Sequence, residues 1–149
     1  MGVQDPSAIR KQSSRLFGPR LTFPHEGVDA AGMALTTTVR SYSTATPGRC
    51  LNQARHHHFV IDGSTHGGGP AEEVTPGEAF LAGISGCGVL LVESNARRDG
   101  LPLRGAEAII ESSRDEADTS TFTSIAIHFR LAGVDEPTAR DLVERYRHA

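Results

Sequence analysis

An α+β fold of order ββ-α-ββ-α is predicted by three features of the sequence. Two runs rich in Thr and β-branched residues precede Asp62, small and apolar residues dominate from Pro76 to Val92, and polar and apolar residues alternate from Thr123 to Leu131. Met1 to Ala31 mixes Gln, Ser, Pro, Gly and Arg without periodicity. It reads as a flexible leader (residues 1–31), leaving 32–149 as the folded domain. Met33 to Thr46 and Cys50 to Ile61 read as two strands joined at Pro47-Gly48, and Asp62 to Val74 as a Gly/Pro loop.

The central helix has the clearest start. Thr75 can accept from the N–H of Glu78 while Glu78 reaches back, a capping box, and Pro76 at the first helical position loses nothing by lacking an N–H. From there to Val92 every face is apolar or small, so the helix is expected to be buried, with antiparallel strands packed on it. It reads as too short and glycine-rich to cross a bilayer. Leu103 to Ser113 gives a third strand and Asp115 to Asp118 a polar turn. In the fourth strand Thr123, Ile125, Ile127, Phe129 and Leu131 share one face. Asp135-Glu136-Pro137 opens a last helix with acids at the positive end of its dipole, and Leu142, Val143 and Tyr146 form its apolar stripe.

A chain of 149 residues suits one domain with a real core. A net charge of -3 without a dense Lys/Arg run argues against nucleic acid as a partner. No basic-then-apolar segment opens the chain, so neither a secretory leader nor a membrane partner is expected. Two cysteines, Cys50 and Cys87, make no disulfide scaffold; a cytoplasmic protein with one or two functional thiols fits better. His56-His57-His58 invites a metal reading, but in a strand only His56 and His58 share a face and no further ligand pattern supports them, so no metal is expected. Gly67-Gly68-Gly69 lacks the Lys-Ser/Thr of a phosphate loop and reads as a flexible connection over a thiol pocket.

Cys87 has two readings, a small apolar core residue or a reactive thiol. Gly83, Gly86 and Gly88 each cost roughly 1 kcal/mol against alanine in a helix interior, so another backbone or a substrate is expected close by; packing explains them equally. A glycine-bearing loop, then Thr75-Pro76-Gly77-Glu78, a small-residue helix reaching Gly86-Cys87 and the exit Asn95-Ala96-Arg97-Arg98-Asp99-Gly100-Leu101-Pro102 resemble the OsmC/Ohr family (osmotically inducible protein C and organic hydroperoxide resistance protein). His57 to Asp62 resembles that family's strand ahead of the loop, and the likeness covers roughly Met33 to the C-terminus.

The resemblance implies an intertwined homodimer with thiol sites near the interface. It implies that Cys87 reduces organic or lipid hydroperoxides, becoming a sulfenic acid that a dithiol reductant restores, with no cofactor. The alternative is a non-catalytic relative that binds a small hydrophobic ligand in the same pocket. A peroxidatic thiol needs a lowered pKa, and Cys87 lies several turns from the helix start, where burial would raise it, so a cation must act. Thr44 to Arg49 resembles the segment that supplies the family's arginine; Arg49 is the first candidate and Arg55 the second, and both can equally be solvated strand arginines.

Two departures from the family stand out. Hydroperoxide-reducing members carry Pro-Glu where this chain has Pro76-Gly77, and Glu78, one position on and about 100° around the helix, reads as a capping residue rather than a replacement. Those members also resolve the oxidised thiol with a second cysteine in a Cys-Pro pair, and Arg145 to Ala149 resembles the residues just before it. Taken as the full sequence, the chain could not form that disulfide. Cys50 is the other thiol, either a resolving partner or a passive strand cysteine.

Overall fold

The protein is described from a computed structural model covering residues 36–117 and 119–149. The expected leader, the beginning of the expected first strand and Asp118 lie outside these residues. Thr38–Ala149 form one compact unit. Its elements run β1 (Val39–Ser43), β2 (Arg49–Ala54), β3 (His57–Asp62), α1 (Pro76–Arg98), β4 (Gly105–Arg114), β5 (Phe122–Ala132) and α2 (Glu136–Arg147).

The α+β class is as the sequence predicts, with one strand more. Cys50 to Ile61 folds as the antiparallel pair β2 and β3, in register from Arg49 opposite Asp62 to Ala54 opposite His57. The chain reverses at Arg55 and His56, and Arg55 takes φ 57°. That left-handed conformation is uncommon for a residue with a side chain, and no glycine or Asn-Gly pair announces it. β1 pairs with β2 to complete a three-stranded meander, while β4 and β5 form a separate long hairpin.

The loop before α1 is held by hydrogen bonds rather than loose. Ser64 caps a single 3₁₀ turn, Thr65–Gly67, and its carbonyl also accepts from the N–H of Gly69 at 2.9 Å. The N–H of Gly63 donates to the carbonyl of Gly48 at 2.7 Å. A Cβ on Gly69 would lie 2.1 Å from the carbonyl oxygen of Gly63, and one on Gly48 would lie 2.6 Å from the Cα of Gly69. Three backbone segments meet here, with no room for a side chain at Gly48 or Gly69.

α1 begins with the capping box expected of Thr75 and Glu78. It ends at Arg98, where Gly100 at φ 65° lets the N–H of Leu101 reach the carbonyl of Ala96 and its own N–H reach that of Arg97, a Schellman ending. At 23 residues the helix is long and apolar enough, by length and composition alone, to cross a membrane, which corrects the expectation that it is too short. One side of it belongs to a protein core. Val92 and Ala96 pack with Leu142 of α2, enclosed by Leu101, Leu103, Ala106, Phe129 and Leu131. α2 is capped by Asp135, which accepts from the N–H of Thr138 at 3.0 Å, and Arg145 ties it to Asp99 at the end of α1.

Candidate functional site

Cys87 sits on α1 away from this core. At about 100° per residue, Gly88, Val92 and Ala96 form one stripe, and Phe80, Gly83, Cys87 and Leu90 fall on the opposite side. The thiol is exposed rather than buried, with Phe80 54% and Leu90 67% exposed beside it. Within the described residues, therefore, the expected enclosure of the helix holds for one face only. The three glycines divide the same way. A Cβ on Gly88 would come within 2.8 Å of the Phe129 ring, which stands edge-on to Tyr146 with centroids 5.3 Å apart, whereas on Gly83 or Gly86 it would meet nothing within 4 Å among the described residues.

Arg49 starts β2 at the end of the meander nearest the glycine loop. Its Nε donates to Asp62 Oδ1 at 2.8 Å and its Nη2 to Asp62 Oδ2 at 2.7 Å, a bidentate pair across the register position that couples the two residues. Nη2 also meets Glu72 Oε2 at 2.7 Å. The Asp62 side chain is fully buried and accepts two further bonds, from the N–H groups of Glu72 and Glu73, both at 3.1 Å. Arg49's hydrogen bonds, with those two amides, hold the Asp62 carboxyl at about 2 against the burial that would raise it. The carboxylates, Asp62 first and Glu72 second, raise the guanidinium's pKa above its already high value. Arg49 is thus a fixed cation fastening the loop at Glu72 to the ends of β2 and β3.

The other sequence candidates are separated. Among the described residues no hydrogen bond or ion pair joins Cys87 to Arg49, Arg55, Cys50 or Glu78. Arg55 lies at the far end of β2 from Arg49, in the turn. Cys50 is half-buried, and its sulfur receives the side-chain amide of the buried Asn52 at 3.5 Å. Glu78 is the capping residue, its Oε2 accepting from the N–H and hydroxyl of Thr75 at 2.7 and 2.8 Å. His56 and His57 bring their ring centroids to 4.1 Å, and among the described residues no group of three His, Cys, Asp or Glu side chains is placed to hold a metal ion.

Two features escaped the sequence reading. Asp62 reads there as the start of a loop, although an aspartate ending one strand opposite an arginine beginning the next is the signal of a cross-strand pair. Arg114 gives no signal at all until the hairpin brings it over α1, where its Nη2 lies 3.0 Å from the place a Cβ on Gly77 would occupy.

A family model described as OsmC-like protein matches residues 68–149, more than half of the chain. No curated protein matches the sequence. Among solved structures, the organic hydroperoxide resistance protein OsmC of Legionella pneumophila is 18% identical with a TM-score of 0.60, over 76% of this chain and 83% of that one. A putative osmotic stress induced and detoxification response protein of Psychrobacter arcticus is 14% identical with a TM-score of 0.65, over 78% and 85%. A putative organic hydroperoxide resistance protein of Vibrio cholerae, with captopril bound in one of its active sites, is 16% identical with a TM-score of 0.54, over 78% and 81%. These likenesses show the fold.

Proposed function

The chain belongs to the OsmC-like family, and from that premise we propose that it is a cytoplasmic thiol peroxidase that reduces organic hydroperoxides at Cys87. The observation that carries this reading is the exposure of Cys87 on a glycine-lined face that the described residues leave open. A buried packing cysteine would lie with Val92 and Ala96 instead. Structural neighbours named as hydroperoxide resistance proteins support the same direction. In the reaction the Cys87 thiolate attacks one peroxide oxygen, the O–O bond breaks as the S–O bond forms, and the alcohol leaves after taking up a proton. Sulfur is oxidised to a sulfenic acid by the two electrons that reduce the peroxide. A dithiol reductant then condenses with the sulfenic acid, releasing water, and its second thiol displaces Cys87 as a thiol.

The thiolate needs a cation, and Arg49 is the one the sequence offers. In a single chain Arg49 is engaged by Asp62 and Glu72, so the reading includes a second copy laid on the open face of α1, bringing charged groups to the thiol and covering Phe80 and Leu90. That engagement, with Gly77 in the position of the family's glutamate, favours the second reading, a non-catalytic relative binding a small hydrophobic ligand beside Cys87. Consumption of tert-butyl hydroperoxide with a dithiol reductant separates the two. Turnover by the native protein, abolished in Cys87→Ser with the fold intact, is expected for the peroxidase. Undiminished turnover in Cys87→Ser removes Cys87 as the nucleophile, and none by the native protein leaves the binding reading.

A further inference from the structure

The β2–β3 turn brings together two side chains that strand alternation would keep apart. Arg55 and His56 make the turn, and His57 is the first residue of β3, opposite Ala54. In a regular strand successive side chains point to opposite faces, so the sequence offers His56 with His58. The reversal at Arg55, with φ 57°, interrupts that alternation. It sets the imidazoles of His56 and His57 side by side instead, with ring centroids 4.1 Å apart and planes inclined at 41°. The turn is tied to its own sheet, since Gln53 Nε2 donates to the carbonyl of Arg55 at 3.2 Å and Gln53 Oε1 accepts from the Tyr42 hydroxyl at 3.4 Å. Both imidazoles are exposed and open to a solute.

Two imidazoles this close can share one transition-metal ion. Metal–nitrogen bonds of about 2.0–2.1 Å put each ring centroid about 3.2 Å from the ion, so ligands at a right angle have centroids about 4.5 Å apart and tetrahedral ligands about 5.2 Å. The observed 4.1 Å is nearer the right-angled value, and exposed side chains can rotate to close the difference. The other close pairs offer a different donor set: His128 faces Glu111 at 3.9 Å and His148 faces Glu144 at 3.1 Å, each one nitrogen with one carboxylate. We propose that His56 and His57 chelate a nitrogen-preferring divalent ion of square-planar habit, copper(II) ahead of nickel(II), in preference to tetrahedral zinc(II), with water completing the coordination. Two protein ligands suffice for this, so the site needs none of the three-residue groups that are missing among the described residues. It is argued independently of Cys87 and of the peroxidase reading. Contact between the two rings gives the same separation without a metal, and the test separates the two cases.

The test is calorimetric titration with nickel chloride, which leaves thiols unoxidised, in a Cys87→Ser background that removes the exposed thiol as a competing ligand. Saturable binding of one ion per chain is expected. Adding His56→Ala or His57→Ala should weaken it about tenfold or more, and adding His58→Ala should leave it unchanged. Zinc chloride should bind more weakly than nickel. Loss in His56→Ala and His58→Ala with His57→Ala unaffected would restore the alternating-face pair and overturn the assignment, as would equal weakening in all three, tighter binding of zinc, or no saturable binding. A second measurement needs no histidine substitution: substoichiometric copper(II) should broaden the imidazole proton resonances of His56 and His57 before those of His58, His128 and His148. Earlier broadening of any of those three refutes the site.

Discussion

On one side of α1, Gly88 lies under the Phe129 ring and Val92 and Ala96 are sealed by α2 and the β4–β5 hairpin. On the other, Phe80, Gly83, Gly86, Cys87 and Leu90 are exposed. The residue types are nearly the same. The difference teaches that small and apolar composition marks a helix to be covered on all sides without saying what covers it. One face is covered by the described residues and the other is left open by them, in our reading for a second copy and a substrate.

The contrast can be broken first at its leucines. Leu142→Ala empties a fully buried site and is expected to cost about 2–5 kcal/mol in urea unfolding, whereas Leu90→Ala on the open face should cost little while the chain is alone. If a second copy covers Leu90, the Leu90→Ala loss appears only at protein concentrations where sedimentation shows the dimer. A Leu90→Ala loss as large at every dilution would mean that the open face is closed by the chain itself.

The glycines give a smaller effect with opposite signs. Gly88→Ala gains about 1 kcal/mol of helix propensity but forces the Phe129 ring aside at about 1–3 kcal/mol, so thermal unfolding should show a net loss. Gly83→Ala meets nothing among the described residues and should keep the whole gain, about 1 kcal/mol, in the isolated chain. Loss of hydroperoxide turnover in Gly83→Ala despite that gain would show that a substrate or a partner needs the space.

Much of this was legible in the sequence, and the failures have physical causes. The caps at Thr75 and Asp135 are local hydrogen-bond chemistry, readable from the residues that make them. The stripe in β5 is legible because its period is set by the pleat, although Ile125 at its near end is 45% exposed. The β2–β3 turn is not legible because Arg55 adopts a conformation that sequence assigns to glycine or asparagine. The exposure of Cys87 is not legible because an apolar, small-residue run looks the same whether or not the described residues enclose it. Arg49 is legible as a candidate cation, but its partners Asp62 and Glu72 are not, since the distance from residue 49 to residue 72 is bridged only when the meander and loop close.

The last expected effect concerns that ion cluster, which stands apart from both faces of α1. The folded Asp62 carboxyl sits at about 2, below its usual 3.8, so its contribution is fully present above pH 3.8 and is lost as pH falls toward 2. Urea midpoints measured from pH 5 to 2 should fall more steeply for the native protein than for Asp62→Asn, which should be less stable at pH 5. Asp99, Asp135 and Glu78 are also held below their ordinary values and contribute to the acid slope of both, so the difference between the two curves is the quantity to read. Identical slopes would show that Arg49 does not hold Asp62 in solution.

The meeting of Gly48, Gly63 and Gly69 bears on how this sequence can change over generations. A side chain at position 69 would run into the backbone of Gly63, and one at 48 into the backbone of Gly69. Ordinary overcrowding in a core can be undone by trimming the neighbour, but here the neighbours are already glycines, so no smaller replacement exists. A mutation at either position has no second-site suppressor among its contacts. Relief requires moving a whole strand end, which would also pull apart the Arg49–Asp62 pair. The connection into the cysteine helix is therefore locked against stepwise substitution by the absence of side chains.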